Sequence, residues 1–324
     1  MYRFLIALAA ALIVSGQGLA TASAQGFPQR AVRFILPFGP GSGVDITARL
    51  LGEKLSARWG KPVVVENRAG GDGLVAINAF TSANDDHTLL FVPASTFTAH
   101  PYTKDKLPYD QERDLLPIVN VTVIVIALSV PESLKIGSLK EFVELARAKP
   151  NTLNVAAAAG NSDLIMSGFI KSQNLPIAKV PYRDIMQAPN DLSENRIQLL
   201  LSSYASMRPL VQAGKLKVLA VTSGKRVGIA PEIPTVAEAG FPYLGMDSLI
   251  GLYGPRGMSQ ELRDRVAADV KAVVDADPTI ATRLQATGQV VDIRGAAEFA
   301  AGIKEIRNQL ASIALTLGMK AAAQ

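Results

Sequence analysis

The chain has 324 residues, with 33 Lys and Arg against 28 Asp and Glu for a formal charge of +5, two histidines and no cysteine. The missing cysteines exclude disulfides, thiol catalysis and thiolate metal sites, and His87 and His100 stand in no metal-ligand spacing, so no metal or cofactor is expected. Charges scattered without a basic stripe or interleaved aromatics argue against nucleic acid as a partner, and a chain of this length asks for two lobes, which need not be contiguous.

The first signal along the chain is for export. Arg3 precedes the apolar run FLIALAAALIV, and Ala22-Ser23-Ala24 carries the small-residue pattern that signal peptidase reads. Residues 1–24 therefore read as a signal peptide, with the mature chain starting near Gln25. The run falls short of the ~20 residues a bilayer span needs. Its removal takes away only Arg3 and leaves +4. Residues 118–130, IVNVTVIVIALSV, are the other long apolar run. Asn120, Thr122 and Ser129 interrupt them, so they read as a buried or crossing strand.

Next comes AVRFILP, then FGPGSGVD, then DITARLLGEKLSARW. Strand, glycine-rich turn and helix start in that order make a cradle for an anion, because backbone N–H groups of a first helical turn point at it. Asp45 can cap the helix, Ile46, Leu50, Leu55 and Trp59 form its apolar stripe, and Gly60 ends it. NTLNVAAAAGNSDLIMSGF repeats the arrangement, with Asn161 or Ser162 as cap. Two such cradles in different lobes can face each other across a cleft.

The remaining elements alternate. Strands are predicted at 31–37, 62–66, 87–92, 118–130, 153–157, 177–181, 196–201, 216–222 and 248–253. Helices are predicted at 45–59, 74–82, 138–148, 162–173, 205–213, 259–276, 278–286 and 295–315, with 319–324 a frayed tail. This is an α/β pattern of doubly wound sheets, whose ligands bind beyond the carboxyl ends of the strands.

The glycine turn is not a phosphate loop, since no lysine follows Gly43. It matches a dinucleotide fingerprint only in part, because Val44 stands at the third glycine position, although Glu66 mimics the ribose-binding acid. No GxSxG or HExxH occurs, and Asp85-Asp86 sits in a polar turn. Tyr182 and Arg183, at the end of a strand, offer a hydroxyl and a guanidinium to a carboxylate, and Ser95 and Thr96 offer hydroxyls at another strand end.

The ordered series from FPQRAVRFILPFGPGSGVD to VVVENRAGGDG, then LPYDQERDLLPI, VPYR, AGKLKVLAVTSGKR, PEIPTVAEAGFP and GLYGPRGM, resembles the Bug family over essentially all of the mature chain. These are periplasmic solute receptors of tripartite tricarboxylate transporters. The resemblance implies a two-lobe periplasmic binding protein of the type II-like kind, monomeric and without catalysis. Such a receptor closes by a hinge over a small di-, tri- or aromatic carboxylate and delivers it to membrane components. It implies lobe 1 from residues 25–120 plus 248–324 and lobe 2 from 121–247, with hinges near 118–128 and 243–251. Carried over by position, the contacts are Phe38, Gly39, Ser42, Gly43, Asp45, Ser95 and Thr96 from lobe 1, and Ala158, Asn161, Ser162 and Tyr182 from lobe 2.

Departures from the family pattern at AAGNSD, RDIMQAP and LLLSSYAS bring Met186 and Tyr204 towards the cleft. Lobe 2 offers no clear carboxylate for an ammonium group, which points to a ligand other than an amino acid, with an apolar or aromatic body. An exported α/β enzyme acting on a small anion, or a ligand sensor for a signalling kinase, remain the alternatives.

Overall fold

A computed structural model describes residues 26–182 and 184–322. The signal-peptide reading of residues 1–24 and the contact expected of Arg183 lie outside the described residues. The first part of the chain runs β1 (Val32–Leu36), α1 (Gly43–Trp59), β2 (Val63–Asn67), α2 (Leu74–Ala83), β3 (Thr88–Pro93) and β4 (Leu116–Ile124). The middle runs β5 (Ile126–Pro131), α3 (Leu139–Ala148), β6 (Asn154–Ala157), α4 (Asn161–Ser172), β7 (Ala178–Lys179), β8 (Leu199–Ser203), α5 (Tyr204–Gln212) and β9 (Leu216–Val221). The last part is β10 (Ser248–Gly254), α6 (Gln260–Ala276), α7 (Thr279–Ala286), β11 (Gln289–Arg294) and α8 (Ala296–Leu317).

These strands form two sheets, one ordered β11-β4-β10-β3-β1-β2 and the other β7-β6-β8-β5-β9. Each is mixed. The neighbours β1, β2 and β3 run parallel, as do β6, β7 and β8, while β10, β11 and β5 pair antiparallel with their neighbours. The apolar run 118–130 is thus divided: β4 belongs to one sheet and β5 to the other, with only the buried Val125 between them. The return crossing, from β9 to β10, is tied to the first. Thr222 N donates to Ile126 O at 2.9 Å, Met246 N donates to Thr222 O at 2.8 Å, and the Thr222 hydroxyl donates to Met246 O at 2.9 Å.

Both faces of each sheet are covered, which is why the strands read as near-continuous apolar runs. In β1, Phe34 and Leu36 face α1, α6 and α7, whereas Ile35 joins Ile77 and Phe80 of α2 and Phe299 and Ile303 of α8. In the second sheet Leu199 and Leu201 face Phe142 and Phe169, while Leu200 packs with Leu192 and Met207. The C-terminal helix α8 joins the two halves: its Ile313 lies against Gly168 of α4, 2.9 Å from where a Cβ there would stand.

Several expectations need correction. Helix α1 begins at Gly43, two residues before the expected start, because Ser42 is the N-cap, and Ile46 is exposed. The strand expected at 177–181 pairs only over Ala178–Lys179. Strand β11 falls between two predicted helices, where the sequence predicts no element, and it hydrogen-bonds to β4. Residues 319–322 of the expected frayed tail are held: Met319 packs on the core, and Ala322 N donates to Pro101 O at 2.5 Å.

Candidate functional site

A cavity of about 750 Å³ lies between the two sheets. Pro37 and Phe38 follow β1, Gly70, Asp72 and Gly73 follow β2, and Ser95, Thr96 and His100 follow β3. The opposite wall has Ala157, Ala159, Gly160 and Asp163 at the end of β6 and start of α4, then Lys179 to Tyr182 at the end of β7. Each group stands at the carboxyl end of a parallel strand, where the open α/β rule places ligands.

The first cradle already holds an anion, and it belongs to the protein. Ser42 Oγ accepts from Asp45 N at 3.2 Å, and the Asp45 carboxylate turns back to accept from Gly41 N at 2.9 Å. Asn67 Nδ2 donates to the same carboxylate at 2.8 Å and Arg49 Nε at 3.0 Å. Asp45 is 2 % exposed. Burial pushes its carboxyl up, but the bonds from Arg49, Asn67 and Gly41 outweigh that and hold it below its ordinary range. Ser42 and Asp45 are therefore committed to the helix start. Gly43 backs onto Gln289 and Thr287, and Gly39 accepts from Ser42 N; of this loop only Pro37 and Phe38 reach the cavity.

The second cradle is left open. Gly160, the residue before α4, has φ 80 and no side chain with which to cap the helix. A Cβ there would come within 3.7 Å of Ser95 O, so the two walls approach at this point. Asn161 is buried and faces away from the cavity, exchanging hydrogen bonds with Thr98 at 3.1–3.2 Å across the two halves. Ala158 N donates to Leu201 O, and neither Ala158 nor Ser162 lines the space. Helix α2 also starts without a side-chain cap, at Gly73, whose φ of 92 only glycine adopts easily and whose Cβ position lies 2.3 Å from Thr96 Cγ2.

The cavity gathers Phe38, Ser95, Thr96 and Tyr182 from the expected residues. Tyr182 contributes its ring only: its hydroxyl donates to Asp191 Oδ2 at 2.7 Å, and burial with that bond pushes its pKa up to about 12. Tyr204 is buried against Met207 and Leu200, and Met186 is exposed; neither lines the cavity.

The cavity lining also includes Asp72, His100, Asp163 and Lys179, which the sequence does not single out. Asp72 pairs with Lys104, which holds its carboxyl below the ordinary range. His100 is buried; its Nε2 lies 3.0 Å from Asp72 O, which can only accept, so Nε2 carries the proton and Nδ1 accepts from Tyr109 at 2.7 Å. Burial lowers the His100 pKa, and with both nitrogens engaged the imidazole is not poised as a general base. The opposite wall does carry a carboxylate, contrary to the sequence reading: Asp163, which Lys179 neutralises through bonds of 2.7 Å to both oxygens. The glycine run 70–73 repeats the strand, turn and helix pattern and could have been found that way. Asp163 and Lys179 lie 16 residues apart on different elements, with no local signal.

Residues 47–314 match the family model described as Tripartite tricarboxylate transporter family receptor. The chain is 28% identical over 304 residues to Protein BugT of Bordetella pertussis, spanning 89% of this chain and 93% of that protein. Among solved structures it resembles Rpa4515 of R. palustris with adipate, at TM-score 0.72 and 26% identity over 91% of this chain and 99% of that one. It also resembles MatC from Rhodopseudomonas palustris with bound malate, at TM-score 0.71 and 25% identity over 89% and 99%. Among the described residues no helix is long and apolar enough to cross a membrane.

Proposed function

The chain belongs to the tripartite tricarboxylate transporter receptor family, and from that premise we propose that it is a periplasmic receptor that holds a small carboxylate in the cavity between its sheets and presents it to the membrane transporter. The observation that carries this reading is the cavity's position: it lies at the carboxyl ends of both sets of parallel strands, between the uncapped starts of α2 and α4. The uncapped first turn of α4 and the positive ends of the two helix dipoles stabilise a negative charge there, each contributing on the order of 0.3–1 kcal/mol or more. The adipate and malate held by the related receptors are ligands of the same chemistry.

In this reading residues 25–120 and 248–324 form one lobe and 121–247 the other, and the lobes close about the crossings joined at Ile126, Thr222 and Met246. The protein is exported, loses residues 1–24 near Ala24 and acts as a monomer without catalysis. Ligand contacts come from Phe38, Ser95, Thr96 and backbone N–H groups of the first turn of α4, after Gly160. The test is a thermal-shift screen of the mature chain over mono-, di-, tri- and aromatic carboxylates, followed by calorimetry. A ligand at ~100 times its Kd adds about 2.7 kcal/mol, which such a screen resolves. Stabilisation by no carboxylate, or turnover of one, overturns the proposal.

A further inference from the structure

Resting on the reading of the cavity as a carboxylate site, we propose that Lys179 is the residue that reads the far end of the ligand, and that it selects acids carrying a second carboxylate. Lys179 stands on β7, on the wall across from Ser95 and Thr96. Its ammonium has three protons and three partners, the two Asp163 oxygens at 2.7 Å and Ser167 Oγ at 2.8 Å.

Those partners are not equal. The bonds to Asp163 join opposite charges, whereas Ser167 Oγ is a neutral acceptor. Ser167 does not depend on the lysine, because its hydroxyl already donates to Asp163 O at 2.8 Å. Turning the third N–H from Ser167 to an incoming carboxylate therefore leaves no donor unsatisfied and replaces a bond to a neutral acceptor by one between opposite charges. Asp163 stays bound throughout and acts as the positioning residue, holding the ammonium at the cavity edge.

An acid with only an apolar far end gains nothing from this exchange. It also leaves the ion pair in place, with Lys179 and Asp163 both partly open to solvent at 32% and 42%. Discrimination between a diacid and its monoacid thus rests on one proton of one side chain, and is expected to be about tenfold or more, the size of a single charge-assisted hydrogen bond.

The experiment measures Kd by calorimetry for succinate, glutarate and adipate, each against the monoacid of equal chain length, on the mature protein. At least one diacid should bind about tenfold or more tightly than its partner. In Lys179→Gln that ratio should fall to within about threefold of one. Because the single variant leaves Asp163 unpaired, Lys179→Gln with Asp163→Asn removes both charges while keeping polar shapes, and should lose the ratio equally; unchanged circular dichroism confirms its fold. A ratio near one in the unaltered protein, or a large ratio that survives in both variants, overturns the role of Lys179 and leaves the carboxylate reading intact. Silence of all six acids overturns the inference together with the site reading, provided that aromatic and tricarboxylic acids are silent too; if those bind, only the diacid inference falls.

Discussion

Asparagine in place of Asp45 separates a ligand contact from an internal cap. Asn keeps one oxygen but sets an amide NH2 against either Gly41 N–H or the Asn67 amide, both of which donate to Asp45. A buried donor left facing a donor costs about 1–3 kcal/mol. The lost ion pair with Arg49 adds no more than about 1 kcal/mol, since the Arg49 side chain is 51% exposed. The expected loss at neutral pH is about 1–4 kcal/mol, a fall in Tm of roughly 2–15 °C.

Its pH dependence has a definite sign. The folded carboxyl titrates below its unfolded value, near 4, so its contribution is complete above that value and is lost as pH falls through the lower folded one. The gap between unaltered protein and variant should be widest near pH 7 and narrow towards pH 3. Scanning calorimetry at several pH values measures it, with isothermal calorimetry on the best carboxylate beside it. Ligand Kd should move by less than about threefold, under 1 kcal/mol. A variant that keeps its Tm and loses its ligand would refute the internal-cap argument.

At the cavity wall, Gly73→Ala sets a Cβ 2.3 Å from Thr96 Cγ2 at a φ of 92, so stability should fall by about 1–3 kcal/mol and ligand affinity with it. Thr96→Ser, which removes that methyl, should restore part of both in thermal unfolding and calorimetry; no recovery would place the whole cost in the backbone. Gly168→Ala brings a methyl to 2.9 Å from Ile313 Cγ2 and should destabilise the chain by about 1–2 kcal/mol despite alanine's better helix propensity. In an Ile313→Ala background the same change should be neutral or stabilising by denaturant titration, and an equal loss in both backgrounds counts against the packing. His100 is depressed below its unfolded value near 6.5, so its contribution is whole above that pH and is lost as pH falls towards the folded value. Between pH 7.5 and 5 the Tm of His100→Gln should therefore fall less steeply than that of the unaltered protein, and parallel slopes would remove His100 from the account.

Local chemistry carried most of the fold. Apolar runs became β1, β3 and β8, and Gly60 ends α1 where a stop was readable. What failed locally was set by partners distant in sequence. Strand β11 is a short run between two helices that becomes a strand only because β4 offers it an edge. The run 118–130 could not show its division, since both halves are equally apolar and only the separate sheets on either side of Val125 part them. The site was half legible. Strand ends with small residues located Ser95, Thr96 and the AAAGNS turn, because that signal is local; Asp163 with Lys179, and Asp72 with Lys104, meet through tertiary structure alone.

The two cradles look alike in sequence and act differently for one physical reason. Both helices carry an aspartate at the third helical position, Asp45 in α1 and Asp163 in α4. In α1 the preceding cap is Ser42, extended at φ −65 and ψ 155, so the hydroxyl closes on Asp45 N while the Asp45 carboxylate closes on Gly41 N. That reciprocal arrangement, close to a capping box, fills the helix start with the chain's own charge. In α4 the same place is Gly160, at φ 80 and ψ −131, which supplies no hydroxyl and turns the entering backbone another way. Asp163 then has no loop amide to return to and reaches Lys179 instead. One residue before the helix thus decides which start is sealed by the chain's own carboxylate and which is not, and the displaced aspartate is what fixes Lys179 in the proposed site.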